Sequence, residues 1–384
     1  MSKRIGKSLV ANGTALVSEA VWNAELDGKH ERLVDWLREQ GLSGVLLRRN
    51  ENVAWVTGGA VELRVLTPCE TGVAALLLTV EGRRYYFTTE NEAARLRDEE
   101  FGLTDFEPVL FPWYADDTNA KAAKLAGGPL GSDTPVAGAT QVNLYPLRAS
   151  LSDPEIARFE WLGAETAAAT VEALHQVEPG MSEFDMQALT EAGLLRRGIL
   201  PSVALYAVDE RIYNYKHAVP RGARLKNFAM LNLCSRKWGL TCSITRFLHF
   251  GTLPAELEGR FQAAAKVHAA LLDATKIGVT SGELFTAAKA AYAGAGFAGD
   301  EMAHHQGGAT GYGEREWIAT PNGEETVMNH QAFAWNPSIR GGKAEDTVIA
   351  CNGHIRNLTA TPDLPAIDVS LNGTVYTSAG VLVK

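Results

Sequence analysis

The sequence predicts an α/β domain over residues 1–150 followed by a larger α+β domain over residues 151–384. Three observations carry this. The chain has 384 residues, 46% of them hydrophobic, enough to bury one large core or two domains. Short apolar runs alternate with helix-period segments through the first 150 residues, as in layered α/β domains. Beyond them, four helix-period segments accompany one long pair of runs with interleaved apolar and polar residues.

In chain order, Leu33, Trp36 and Leu37 recur at helical spacing within residues 29–40, and Gly41 follows as a stop. Gly44 to Leu47 reads as a buried strand. Residues 73–80 and 84–89 flank Glu81-Gly82 and predict a hairpin. A polar-faced helix over 91–100, a strand over 106–113 and a helix over 115–125 complete the first domain, and turn-rich residues 137–153 are the linker. Ser152-Asp153-Pro154-Glu155 opens a helix that Glu178-Pro179-Gly180 stops. Ser182 and Asp185 form a capping box for a helix that Gly198 ends. Two more helices are expected over about 254–277 and 281–294.

Thirty-six basic against forty-five acidic residues leave a net charge of −9. With no basic run, nucleic-acid binding is excluded as an expectation. The basic N-terminus lacks an apolar core of signal-peptide length, and no run approaches the roughly 20 apolar residues of a membrane span. Cys69, Cys234, Cys242 and Cys351 have no CxxC spacing, so neither a zinc site nor a disulfide framework is signalled. A cytoplasmic protein without membrane contact is the expectation.

Leu231 to Phe247 reads LNLCSRKWGLTCSITRF, a hairpin turning at residues 236–239. Alternation puts Met230, Asn232 and Cys234 on one face and Leu231 and Leu233 on the other. Asn232 is expected to meet Ser243 across the pair.

This stretch resembles the creatinase, prolidase and methionine aminopeptidase superfamily, the pita-bread proteins. Their strand runs Asp-x-Gly, then Gly-Tyr, then Asp-Ile-Thr-Arg; here Asn232 stands at the first aspartate, Gly239-Leu240 at the Gly-Tyr, and Ser243-Ile244-Thr245-Arg246 at the last motif. The other family ligands correspond to His305 in His304-His305-Gln306-Gly307-Gly308, Asn336 before Pro337, and Glu345 before Asp346. Three of five ligand positions have lost their carboxylate. Two hard cations need several anionic oxygens, so no tightly bound dinuclear metal and no cofactor is expected; His305 and Glu345 alone leave a weak metal site at best. The resemblance is closest to the metal-free creatinase-like branch. It implies a pita-bread second domain with a six-stranded curved sheet, a homodimer, and a strand and turn over residues 50–59.

The resemblance also places His217 in the active site as the acid and base, work that an imidazole with a pKa of about 6.5 suits; an exposed loop histidine is the bland alternative. His305 becomes a donor to substrate or a second proton carrier. Glu345 would orient an imidazole or clamp a cationic substrate, while Asp346 reads as a surface acid. Asn232, Ser243, Thr245 and Asn336 are expected to bind substrate. Arg315 and Tyr312, in GYGEREW, are candidates for substrate binding, Arg315 as an anion anchor; Arg64 is a weaker one. Creatinase's guanidinium-binding glutamates fall at Thr245 and Asn336, so creatine itself fits poorly. Cys234 could serve as a nucleophile, although a small buried side chain is the commoner role. The expected function is metal-independent hydrolysis of a C–N bond in a small molecule. The alternatives are a prolidase-type metallopeptidase and a non-catalytic protein that binds a peptide or partner.

Overall fold

The computed structural model describes residues 17–67 and 69–384; the reading of the chain up to residue 16 lies outside the described residues. Ser18 accepts the Val21 N–H and opens α1, Glu19–Glu39, ten residues before the apolar periodicity begins. The earlier turns contribute Glu25 and Lys29, which a polarity pattern assigns to solvent. Both are buried: Lys29 Nζ lies 2.7 Å from Glu25 and 2.7 Å from Glu155, and Arg158 also contacts Glu25.

Six strands follow: β1 (Gly44–Arg49), β2 (Thr71–Thr79), β3 (Arg84–Thr89), β4 (Glu107–Phe111), β5 (Leu130–Ser132) and β6 (Thr140–Gln141). They order as β4-β3-β2-β1-β5-β6. The expected hairpin is β2–β3. Asn50–Val56 is a helix, α2, where a strand was expected. Asp133 explains it: its carboxylate accepts the Arg48 and Arg49 N–H groups at 2.9 and 3.0 Å and the Asn52 amide at 3.0 Å, ending the strand and fixing the first helical turn. Short helices α3 (Glu90–Arg95), α4 (Thr118–Ala126) and α5 (Tyr145–Arg148) complete the region. Residues 137–153 therefore contain β6 and α5 rather than bare linker.

The chain divides into two compact units. One comprises the chain up to Arg158 with Trp238–Leu240, and the other Phe159–Lys237 with Thr241–Lys384. Helix α6 is Asp153–Gln176, opened by Ser152, whose N–H and hydroxyl donate to Glu155. Helix α7 is Glu183–Arg196, with the Ser182–Asp185 capping box formed.

In the second unit, β7 (Leu200–Val208), β8 (Phe228–Lys237), β9 (Leu240–His249) and C-terminal β18 (Val381–Val383) order as β18-β9-β8-β7. The β8–β9 turn is two residues, Trp238 at φ 54° and Gly239 at φ 79°, the left-handed pair that tight hairpins require. Alternation holds: Leu231 packs with Tyr206 and Leu248, and Met230 with Phe247 and Phe261. Helix α8, Glu210–Asn214, separates β7 from β8. Helices α9 (Ala255–Ala274) and α10 (Ser281–Gly294) match the expected pair.

A second four-stranded sheet holds β10 (Gly307–Thr310), β11 (Gln331–Trp335), β14 (Asp346–Cys351) and β15 (His354–Asn357). Ser338–Ile339 and Gly342–Lys343 form a small ribbon, β12–β13, and Ala366–Leu371 with Thr374–Ala379 a hairpin, β16–β17. The expected six-stranded sheet is thus two four-stranded sheets. Thr347 joins them: its hydroxyl accepts the Ser243 N–H at 2.7 Å and donates to the Ser243 carbonyl at 2.9 Å. That join brings residues 232, 245 and 345 together. Among the described residues no helix is long and apolar enough to cross a membrane.

Candidate functional site

Two glycines place the imidazoles. Gly307 sits at φ 95°, and a Cβ there would lie 2.0 Å from the Ala334 carbonyl oxygen; at Gly308 it would lie 2.1 Å from the Trp317 oxygen. Only glycine allows the backbone this close. The turn before β10 then presents His304 and His305, with rings stacked at 4.3 Å, to His217 in the segment after α8. His304 Nε2 is 3.0 Å from His217 Nε2, His304 Nδ1 is 2.5 Å from the His305 carbonyl, and the Gly307 N–H donates to His305 Nδ1 at 3.2 Å.

These contacts assign the protons. A carbonyl only accepts, so His304 carries its proton on Nδ1 and offers a lone pair at Nε2. His217 then donates from Nε2 and keeps a lone pair at Nδ1. His305, accepting at Nδ1, carries its proton on Nε2. Burial, the Lys343 charge and the neighbouring imidazoles bring His304 down to about 3. Burial, Arg315 and His217 bring His305 to about 4. Burial and Lys343 lower His217 as well. A neutral, proton-accepting cluster results at pH 7.

Beside it lies Glu345, buried at 4% exposure. Lys343 Nζ is 2.8 Å from Oε2, the Asn232 amide donates to Oε2 at 2.6 Å, Thr245 donates to the same oxygen, and Arg315 Nη2 is 3.6 Å from Oε1. Burial alone would raise this carboxyl, but Lys343, Arg315 and the hydrogen bonds from Lys343 and Thr245 hold it at about 2. One pairing is corrected here. Asn232 meets Thr245, not Ser243; Ser243 meets Cys234 Sγ at 3.1 Å and receives Arg315 Nη1 at 3.2 Å. Thr245 and Ser243 are buried and bonded to protein groups. Glu345 is engaged by Lys343, Arg315, Asn232 and Thr245.

Asn336 is buried, and its Oδ1 has no partner among the described residues; neither has Arg315 Nε. Tyr312 is buried just beyond β10. Asp346, read as a surface acid, is buried against Arg246 at 2.7 Å and Thr359. Arg64 belongs to the first unit and forks onto Glu62. Burial raises the Cys234 thiol to about 11, which removes the thiolate that a nucleophile needs. A cleft of about 450 Å³ lies on the Asp346 side of β14 and is lined by Arg246, Asp346 and Tyr376 among others; the imidazoles lie elsewhere.

Two residues of this site escaped the sequence reading. Lys343 is two positions before Glu345, and in extended backbone such residues share a face. His304 was overshadowed by its neighbour. A pair of metal ions does not fit the frame of residues 232, 243, 305, 336 and 345. The one carboxylate among them already holds an ammonium and two neutral donors, and Asn232, Ser243 and Asn336 add no charge.

The family model described as Metallopeptidase family M24 matches residues 162–353, half of the chain, and the Creatinase/Prolidase N-terminal domain matches residues 29–141. A curated Bacillus subtilis protein, YkvY, named provisionally as a dipeptidase, is 23% identical over 355 residues, covering 83% of this chain and 93% of its own length. Dipeptidase PepE from Mycobacterium ulcerans superimposes with a TM-score of 0.72 at 17% identity, over 90% of this chain and 97% of its own. The prolidase from Pyrococcus horikoshii gives 0.72 at 18%, over 87% and 98%. At these identities the structural likeness is one of fold.

Proposed function

The chain belongs to metallopeptidase family M24, and we propose that it hydrolyses the C–N bond of a small, dipeptide-sized substrate bearing a carboxylate, without the dinuclear metal of the family frame. The relatives named for dipeptides favour a peptide over an amidine substrate. The observation that carries the reading is Lys343: its ammonium sits 2.8 Å from Glu345 amid three neutralised ligand positions. Lys343 and Arg315 outnumber the single carboxylate, so the pocket favours an anionic ligand.

His217 takes a proton from water at Nδ1, and its Nε2–H is steadied by His304, whose own Nδ1 is tied to the His305 carbonyl. The proton then returns to the leaving nitrogen. His305 donates its Nε2–H to the polarised carbonyl, and Asn336 Oδ1 accepts from the substrate's nitrogen. Such proton transfer contributes about 10²- to 10⁴-fold.

The test is a dipeptide panel with chelator present, run beside manganese, zinc and iron. Turnover that survives chelation and falls about 100-fold or more in His217→Ala, with thermal unfolding unchanged, supports the reading. Cleavage that requires two metal equivalents overturns it in favour of a metallopeptidase. A second reading, binding without cleavage, draws on the engagement of Glu345 by protein donors; saturable dipeptide binding with no turnover would establish it.

A further inference from the structure

We propose that His217, His304 and His305 form a mononuclear site for one imidazole-preferring transition ion, of the zinc, cobalt, nickel or copper class, which shares only His305 with the family ligand frame and uses no carboxylate. One ring nitrogen from each lies within 4.8 Å of the others. Two nitrogens bound tetrahedrally at about 2.0–2.1 Å from zinc stand about 3.3–3.4 Å apart. The 3.0 Å between His217 Nε2 and His304 Nε2 has to open by only a few tenths of an ångström.

That contact is held by a shared proton, and the ion replaces it. His304 already presents an unprotonated Nε2, since its Nδ1–H is committed to the His305 carbonyl, the arrangement that fixes a ligating histidine. His217 moves its proton from Nε2 to Nδ1, so the exchange releases no proton. His305 gives up its long 3.2 Å contact with the Gly307 N–H and moves its own proton from Nε2 to Nδ1. Three nitrogens leave a fourth position for water. The donor set is all nitrogen, and Glu345 is occupied by Lys343, Asn232 and Thr245, so hard ions such as magnesium and calcium are rejected. The site stands whether or not the proposed reaction does, because it is read by binding.

Titration of the metal-free full chain with Zn²⁺ by calorimetry, and with Co²⁺ by its visible bands, tests it. One equivalent should bind. His304→Asn keeps a donor to the His305 carbonyl while removing the ligand, and His217→Ala removes another. Each should weaken binding beyond the roughly 10- to 100-fold that even an outer partner costs. No stoichiometric binding, or binding that both variants retain, overturns the proposal. So do two equivalents that vanish in Glu345→Gln. Bound zinc occupies nitrogens that the proposed hydrolysis uses, so it should suppress chelator-resistant turnover. Activation by one zinc would overturn the proton-carrier reading and leave the ion site standing.

Discussion

Replacing Lys343 with Met strips the ammonium from a carboxylate that is 4% exposed. The wild-type carboxyl stands at about 2 against an ordinary 4.5, a gap worth ~3 kcal/mol at about 1.4 kcal/mol per unit. Burial works against ionisation, and among the groups that overcome it Lys343 comes before Arg315. Removing one partner of a buried pair costs ~3–5 kcal/mol in general; here Asn232, Thr245 and Arg315 remain, so ~2–3 kcal/mol is expected at pH 7. The folded pKa lies below the unfolded one, so this stabilisation is complete above about pH 4.5 and is lost as pH falls toward 2. The deficit of Lys343→Met should therefore narrow as pH drops below 4.5. Urea unfolding at pH 7 and at lower pH reads both effects. Lys343→Met with Glu345→Gln should recover part of the loss, since no buried carboxylate is then stranded, although Arg315 loses its counter-ion. A single variant within ~0.5 kcal/mol of wild type, the usual spread of neutral surface changes, would refute the assignment of Lys343 as the ion that holds Glu345.

Three further outcomes are expected. His30 is brought to about 4, first by burial and then by Arg84, against 6.5 unfolded; its penalty is absent above about pH 6.5 and grows to ~3 kcal/mol as pH falls to 4. Thermal unfolding of His30→Gln should lose that slope, and an unchanged slope would refute it. Thiol labelling at pH 8 should modify the partly exposed Cys69 and Cys351 and spare Cys234 and Cys242, whose thiols burial raises to about 11 and about 12; rapid labelling of Cys234 would restore its nucleophile role. Gly308→Ala should cost ~1–3 kcal/mol by overpacking against Trp317, whereas Gly259→Ala, in open space on α9, should gain ~0.4–1 kcal/mol. Denaturant unfolding of the two variants checks both signs.

Much of the framework is legible from local sequence because its causes are local. The Ser182–Asp185 box, the Ser152 helix start and the β8–β9 hairpin each depend on residues a few positions apart, and a two-residue period decides which face Met230 and Leu231 take. The motif frame likewise brought His217, His305, Asn232 and Glu345 into view. What the sequence left open is who meets whom. Asn232 finds Thr245 and Glu345 because Thr347 ties β9 to β14 across about a hundred positions. Lys29 and Glu25 fall inside, and Asp346 pairs with Arg246 in the core. A charged side chain is written the same way whether water or a buried counter-ion satisfies it, and only the packing of distant segments supplies the counter-ion.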